Sequence, residues 1–222
     1  MPLDGVLFDF DGTLVDSEPL HYRIWRQIVA ELGFALSEQD YRQQLLGRAS
    51  DQSAAWLIQR WQLPFTPAAL LDTRQRRLRQ QLAESPPPLL PYARETLDGL
   101  RALGLRLALV SGSHGRDVAT TLASHGLAAY FETVCTGDLV PRNKPHPDSY
   151  QLALRRLGLA PERCVALEDS RTGIQAASAA GLRCLGVRNP YSGADDFHQA
   201  HRTFDDLGAA QRWLSDAASA PD

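Results

Sequence analysis

Asp9 and Asp11 stand one residue apart at the end of an apolar run, in Val6-Leu7-Phe8-Asp9-Phe10-Asp11-Gly12-Thr13-Leu14. The run is rich in strand formers and closes on a turn signal, so it reads as a short buried strand. Unpaired charge is costly at the end of a buried strand, yet that carboxyl end is where open α/β sheets bind ligands. Alternate strand side chains share a face, which lets both carboxylates converge on one bound ion or substrate. Gly12 permits a sharp turn and close backbone approach. The competing reading is a helix N-cap with two incidental acids.

Three further segments lie at or just after a strand candidate. Leu109-Val110-Ser111-Gly112-Ser113 offers a hydroxyl and glycine-freed amides suited to an anion, although a plain turn explains it equally well alone. Arg142-Asn143-Lys144-Pro145-His146-Pro147-Asp148 fixes a lysine between turn formers ahead of a helix near Asp148, and alone it also reads as an ordinary loop. Ala166-Leu167-Glu168-Asp169-Ser170 is a second carboxylate pair, with an N-cap role for Asp169 or Ser170 as the structural alternative. Together, Asp9, Asp11, Glu168 and Asp169 put up to four negative charges at one sheet edge. Such a cluster calls for a hard divalent cation with oxygen ligands, and Mg²⁺ fits best. With Lys144 and the donors around Ser111, the set is equipped for phosphoryl transfer.

The elements that must position these groups are marked by glycines. Gly33, Gly104, Gly126, Gly158 and Gly181 each close a helix-like segment and precede an apolar residue. Strand-like runs follow three of them, at Leu105–Ser111, Cys164–Glu168 and Cys184–Val187, with Thr133–Cys135 a further short candidate. Strands alternating with helices imply βαβ units and a parallel sheet. Between Asp16 and about Ser85 only helical spacing is found, in Leu20, Ile24, Ile28, Leu32 and in Ala54, Leu57, Ile58, Trp61. Arg74, Arg76, Arg77, Arg79 and Gln80 lie on a helix over Leu70 to Ala83, with Leu71, Leu78 and Leu82 on another face. Such a charge run reads as a solvated helix face. Ser85-Pro86-Pro87-Pro88-Leu89-Leu90-Pro91 then forms a stiff connection. The expected fold is α/β: a Rossmann-like parallel-sheet core, residues 1–15 and 86–222, with an inserted all-helical module, residues 16–85.

A length of 222 residues suffices for that core plus one insertion. The net charge of −3 gives no electrostatic footprint for nucleic acid or an anionic membrane. The N-terminal region lacks a basic start and its first apolar run is broken by Asp9, so neither a signal peptide nor a membrane span is expected. Cys135, Cys164 and Cys184 are widely spaced inside mostly apolar runs, as expected of small core residues in a reducing compartment. A cytoplasmic location follows as the expectation.

The ordered set Asp-Phe-Asp-Gly-Thr, Ser111, Lys144 before Pro145, and Glu168-Asp169 resembles the haloacid dehalogenase-like hydrolases. Within them the chain resembles the branch of small phosphatases and β-phosphoglucomutase, over nearly its whole length. That resemblance implies a helical cap, Asp9 as nucleophile and Asp11 as general acid and then base. It implies phosphate binding by Thr13, Ser111, Gly112 and Lys144. Mg²⁺ would be held by Asp9, the backbone carbonyl of Asp11, and Asp169 with Glu168. His21 and Trp25 resemble mutase positions on the first cap helix. Arg48, in the loop Gly47-Arg48-Ala49-Ser50, and Arg74 are the candidates to contact substrate. Ser50 stands where the mutase loop has its arginine, and Thr13 where the mutase has valine. The resemblance therefore favours hydrolysis of a small phosphorylated sugar or sugar acid over the mutase alternative. Asp11 disfavours dehalogenation, and a phosphonate hydrolase would need a cap lysine, whereas Lys144 is the only lysine. A non-catalytic interaction module is the remaining alternative, opposed by the intact Asp9, Asp11, Lys144 and Asp169. A monomer acting on a small-molecule phosphate ester, without nucleic-acid or membrane partners, is expected.

Overall fold

Val6, Leu7 and Phe8 are fully buried, as required of a strand covered on both faces. They form β1 (Gly5–Phe8) of a computed structural model that describes residues 3–193 and 197–219. Five more strands follow: β2 (Arg106–Val110), β3 (Thr133–Cys135), β4 (Cys164–Glu168), β5 (Arg183–Val187) and β6 (Arg202–Phe204). All pair in parallel, in the order β3-β2-β1-β4-β5-β6. The strand order reverses between β1 and β4, so the crevice outside their carboxyl ends is the switch point where such sheets bind ligands.

Strand alternation divides the core between two faces. Val6, Phe8, Leu107, Leu109, Val165 and Leu167 pack with residues of α5 (Ala93–Ala102), α6 (Gly115–Ser124) and α9 (Leu207–Ser219). Leu7, Ala108, Val110, Cys164 and Ala166 face α7 (Asp148–Leu157) and α8 (Arg171–Ala179). Cys135, Cys164 and Cys184 all lie buried in this second cluster and form no disulfide. The five glycine stops adopt left-handed φ between 64° and 84°, the conformation that ends helices most cheaply at glycine. No described helix is long and apolar enough to cross a membrane.

The chain divides into two compact units, Met1–Asp16 with Pro88–Asp222, and Ser17–Pro87. The second is all helix: α1 (Glu18–Ala30), α2 (Glu38–Gln44), α3 (Ser50–Trp61) and α4 (Pro67–Glu84). Its core joins Leu20, Ile24, Ile28, Leu57, Leu70, Leu78 and Leu82. Ser37 and Thr66 cap α2 and α4 by accepting from the amides of Asp40 and Ala69. One expectation is corrected here. Arg74 does not belong to a solvated face: it is buried between Leu70 and Leu78 on one four-residue-spaced stripe, while Arg76 and Arg79 are exposed. The crossings between units are held together inside the sheet unit. The Asp16 amide donates to Pro88 at 2.9 Å and the Leu90 amide to Leu14 at 2.9 Å. The proline-rich segment thus lies hydrogen-bonded beside the chain that leaves the first motif.

Gly186 of β5 faces the buried ring of Phe197, and a Cβ there would overlap ring carbons. Gly186→Ala is expected to destabilise the protein by about 1–3 kcal/mol. Denaturant unfolding checks this; an unchanged midpoint would mean that Phe197 repacks freely.

Candidate active site at the sheet switch point

The carboxyl ends of β1 and β4 are tied by the Asp9 amide, which donates to the Leu167 carbonyl at 2.9 Å. That bond sets Asp9 beside Glu168, the last residue of β4. Beyond Asp11 the chain turns through Gly12, whose φ is 83°. A side chain at Gly12 would fall on the Asp169 carboxylate, so the glycine serves both the turn and the close approach.

Lys144, from the loop between β3 and α7, reaches into this corner. Its Nζ donates to Asp9 Oδ1 at 2.5 Å, Glu168 Oε1 at 2.6 Å and the Val110 carbonyl at 3.0 Å. An ammonium has three protons, and these acceptors use all of them. The Tyr150 hydroxyl donates to Glu168 Oε1 at 2.7 Å, and the Lys144 ammonium lies 5.3 Å from the Tyr150 ring centre. Ser170 donates to Glu168 Oε2 at 3.2 Å while its Oγ accepts from the Gly173 amide and caps α8. Ser170, and not Asp169, is therefore the N-cap. Asp169 Oδ2 instead accepts from Asn189 Nδ2 at 2.7 Å, and the same amide group donates to the Gly12 carbonyl at 2.8 Å.

Burial raises the Asp9 carboxyl to about 7; the Glu168 charge adds to the rise and Lys144 opposes it. Asp169 is pushed well above the carboxylate range by burial, then by the charges of Asp9 and Glu168. Burial alone would lower Lys144, but the charges of Asp9 and Glu168 carry it upward. One ammonium does not neutralise this many carboxylates, and a bound divalent cation acts against both carboxyl shifts.

The donor set fits a hard cation. Asp9, Glu168 and Asp169 each offer an oxygen, all within 4.8 Å of one another. Asp9 Oδ2 is buried without a hydrogen-bond partner among the described residues, as is Thr13 Oγ1. Buried polar atoms are ordinarily satisfied, so both are suited to a ligand. All three acidic residues offer carboxylate oxygen, the donor type that Mg²⁺ requires. Two details refine the residue set. Glu168 already accepts from Lys144, Tyr150 and Ser170. The Asp11 side chain lies outside the three-carboxylate cluster and accepts from Ser113 Oγ at 2.7 Å and Ser111 Oγ at 3.3 Å. Ser111 is buried, and Gly112 is fixed through its carbonyl by Asn143 Nδ2 at 2.8 Å.

Within the helical unit, Arg74 Nη2 lies 3.2 Å from His21 Nδ1, and the Arg74 guanidinium lies 5.4 Å from the Trp25 ring centre. His21, Trp25 and Arg74 thus form one cluster. Arg48 does not join it through any of these contacts: it is exposed and reaches Gln44 Oε1 at 3.5 Å. Sequence reasoning missed Tyr150, Asn189 and the bond from Ser113 to Asp11. The first two carry no local motif; Ser113 stood in a recognised loop, but its partner is 102 residues away.

Known proteins resemble this chain over most of its length. The family model described as haloacid dehalogenase-like hydrolase matches residues 3–181. Protein CbbY of Rhodobacter capsulatus is 35% identical over 220 residues, covering 95% of this chain and 96% of that protein. Fructose-1-phosphate phosphatase YqaB of Escherichia coli strain K12 is 35% identical over 185 residues, 83% of this chain and 96% of that protein. A crystal structure of a CbbY mutant from Rhodobacter sphaeroides in complex with xylulose-(1,5)bisphosphate superposes with a TM-score of 0.80. It is 31% identical, and the match covers 92% of this chain and 95% of that one.

Asn189 holds a candidate metal ligand from behind, and its own Oδ1 is fixed by the Tyr191 amide at 2.8 Å. Asn189→Ala is expected to weaken Mg²⁺ binding about 10–100-fold, the range for loss of a group that orients a ligand. Calorimetric titration with Mg²⁺ measures this directly, and wild-type affinity in the variant would contradict it.

Proposed function

The chain belongs to the haloacid dehalogenase-like hydrolases and is a phosphoric monoester hydrolase, and from that premise we propose that it is a Mg²⁺-dependent phosphatase. Its substrate is a small phosphorylated sugar or sugar acid, and the phosphoryl group passes through Asp9. The observation that carries the reading is the pairing of Asp9 Oδ1 with Lys144 while the buried Oδ2 has no hydrogen-bond partner among the described residues. Lys144 opposes the rise that burial imposes on the Asp9 carboxyl and fixes its orientation. It leaves the other oxygen to a ligand.

In the first step an Asp9 oxygen bonds to phosphorus, the bond from phosphorus to the sugar oxygen breaks, and Asp11 delivers a proton to the departing oxygen. In the second, water attacks phosphorus, Asp11 takes its proton, and the Asp9–phosphorus bond breaks to release phosphate. Splitting the displacement replaces one difficult hydrolysis by two easier steps. Ser111, the Gly112 amide and Thr13 hold the phosphate oxygens, a role supported for Thr13 by its unpartnered buried hydroxyl. Lys144, its three protons committed to Asp9, Glu168 and the Val110 carbonyl, contributes positive charge beside them. Asp9, Asp169 and the Asp11 carbonyl, with Glu168 behind them, would hold Mg²⁺, whose positive charge would let an anionic phosphate approach these carboxylates. At an effective dielectric near 20, two like charges at 4 Å repel by about 4 kcal/mol, a repulsion that a divalent cation would offset.

The similarity to YqaB and to CbbY, one named for a sugar phosphate and one solved with a sugar bisphosphate, supports a phosphosugar substrate. Ser50 and Thr13, which replace mutase residues, support hydrolysis over transfer. With a panel of sugar phosphates and Mg²⁺, inorganic phosphate is expected to match free sugar mole for mole, and excess chelator is expected to stop release. With β-glucose 1-phosphate, formation of glucose 6-phosphate that depends on glucose 1,6-bisphosphate and outpaces phosphate release would contradict the reading. Asp9→Asn is expected to remove turnover while keeping the fold, because an amide cannot attack phosphorus. Residual activity above contamination and deamidation levels would remove Asp9 from the role.

A further inference from the structure

Asp11 must give up a proton in one step and recover one in the next, so the orientation of its carboxyl has to survive both protonation states. Two hydroxyls meet its Oδ2: Ser113 at 2.7 Å and Ser111 at 3.3 Å. They are not equivalent. In the proposed reaction Ser111 serves the phosphate, and its bond to Asp11 is the longer one. Ser113 is pinned at both ends of its backbone. Its amide donates to Ser111 Oγ at 2.9 Å, and its carbonyl accepts from the Gly137 amide at 3.0 Å. Its hydroxyl is therefore presented from a fixed point.

We propose that Ser113 is a positioning residue for Asp11, holding Oδ2 so that Oδ1 carries and delivers the proton. The inference rests on the acid–base reading of Asp11 above. A hydroxyl can donate to Oδ2 whether the group is a carboxylate or a carboxylic acid protonated on Oδ1. The same bond persists through both steps, and the carboxyl need not rotate. When phosphate engages Ser111, Ser113 is the hydroxyl that stays with Asp11.

The test uses leaving groups of nearly equal shape and different proton demand. p-Nitrophenolate departs without protonation, whereas phenolate benefits from an acid. In the full-length protein with Mg²⁺, kcat/KM is measured for p-nitrophenyl phosphate and phenyl phosphate. Asp11→Ala serves as the control and should lower the phenyl ester rate far more than the nitrophenyl rate. Ser113→Ala is expected to do the same in weaker form, widening the ratio of the two rates by about 10- to 100-fold. Ser113→Thr should restore the wild-type ratio, and Ser113→Val, equal in size to threonine, should not. The Thr and Val pair keeps the comparison valid if the alanine variant folds poorly. A merely structural role would depress both esters alike and leave the ratio unchanged. Equal losses in the Ser113 variants, with a widened ratio in Asp11→Ala, would overturn the role of Ser113 alone. An unchanged ratio in Asp11→Ala would overturn the acid–base reading and this inference with it.

Discussion

Lys144 divides its three protons among Asp9, Glu168 and the Val110 carbonyl, and the rest of the candidate site is arranged around that division. Two buried carboxylates on neighbouring strands repel each other; an ammonium between them makes the pairing tolerable. Removing one partner from such a buried set leaves uncompensated charge, a change that costs about 3–5 kcal/mol. The surroundings fit this need closely. Tyr150 and Ser170 take up further lone pairs of Glu168. At Gly173, in the first turn of α8, a side chain would occupy the space of the Glu168 carboxylate. The start of α8 can therefore lie against that carboxylate, where the helix N-terminus favours negative charge.

The sheet explains why these groups meet at all. β1 and β4 are adjacent, with Phe8 level with Leu167, so the residues that follow emerge side by side at the switch point. Lys144 arrives from beyond β3, two strands away from β1, carried by a loop that Asn143 fastens to Gly112. The inserted helices leave and rejoin the chain through two hydrogen-bonded segments next to the first motif. An insertion at that point lengthens the connection without disturbing the register of the sheet.

Much of this was legible in the residues. Buried strands announced themselves as apolar runs, two of them closing on paired carboxylates, and the glycine stops marked helix ends because glycine followed by an apolar residue is the pattern of a left-handed cap. What was hidden was settled by tertiary contact. Tyr150 looks like any apolar-face residue of α7 until the fold sets it over Lys144. Asn189 sits in a loop with no motif, and its role exists only because β5 ends beside Asp169 and Gly12. Arg74 was grouped with its charged neighbours, yet its four-residue spacing from Leu70 and Leu78 put it on the buried stripe. β6 is three residues long, beginning with an exposed Arg202, and so lacks the apolar run that revealed the other strands.

The central claim is that Asp9 itself accepts the phosphoryl group. Sampling the reaction in acid during turnover, followed by borohydride reduction, converts an aspartyl phosphate to homoserine while leaving free carboxylates intact. Peptide mass spectrometry then locates the change. The account expects homoserine at position 9, dependent on both substrate and Mg²⁺. Homoserine at another acidic position, or an unmodified chain in a single-turnover sample taken before phosphate is released, would contradict it.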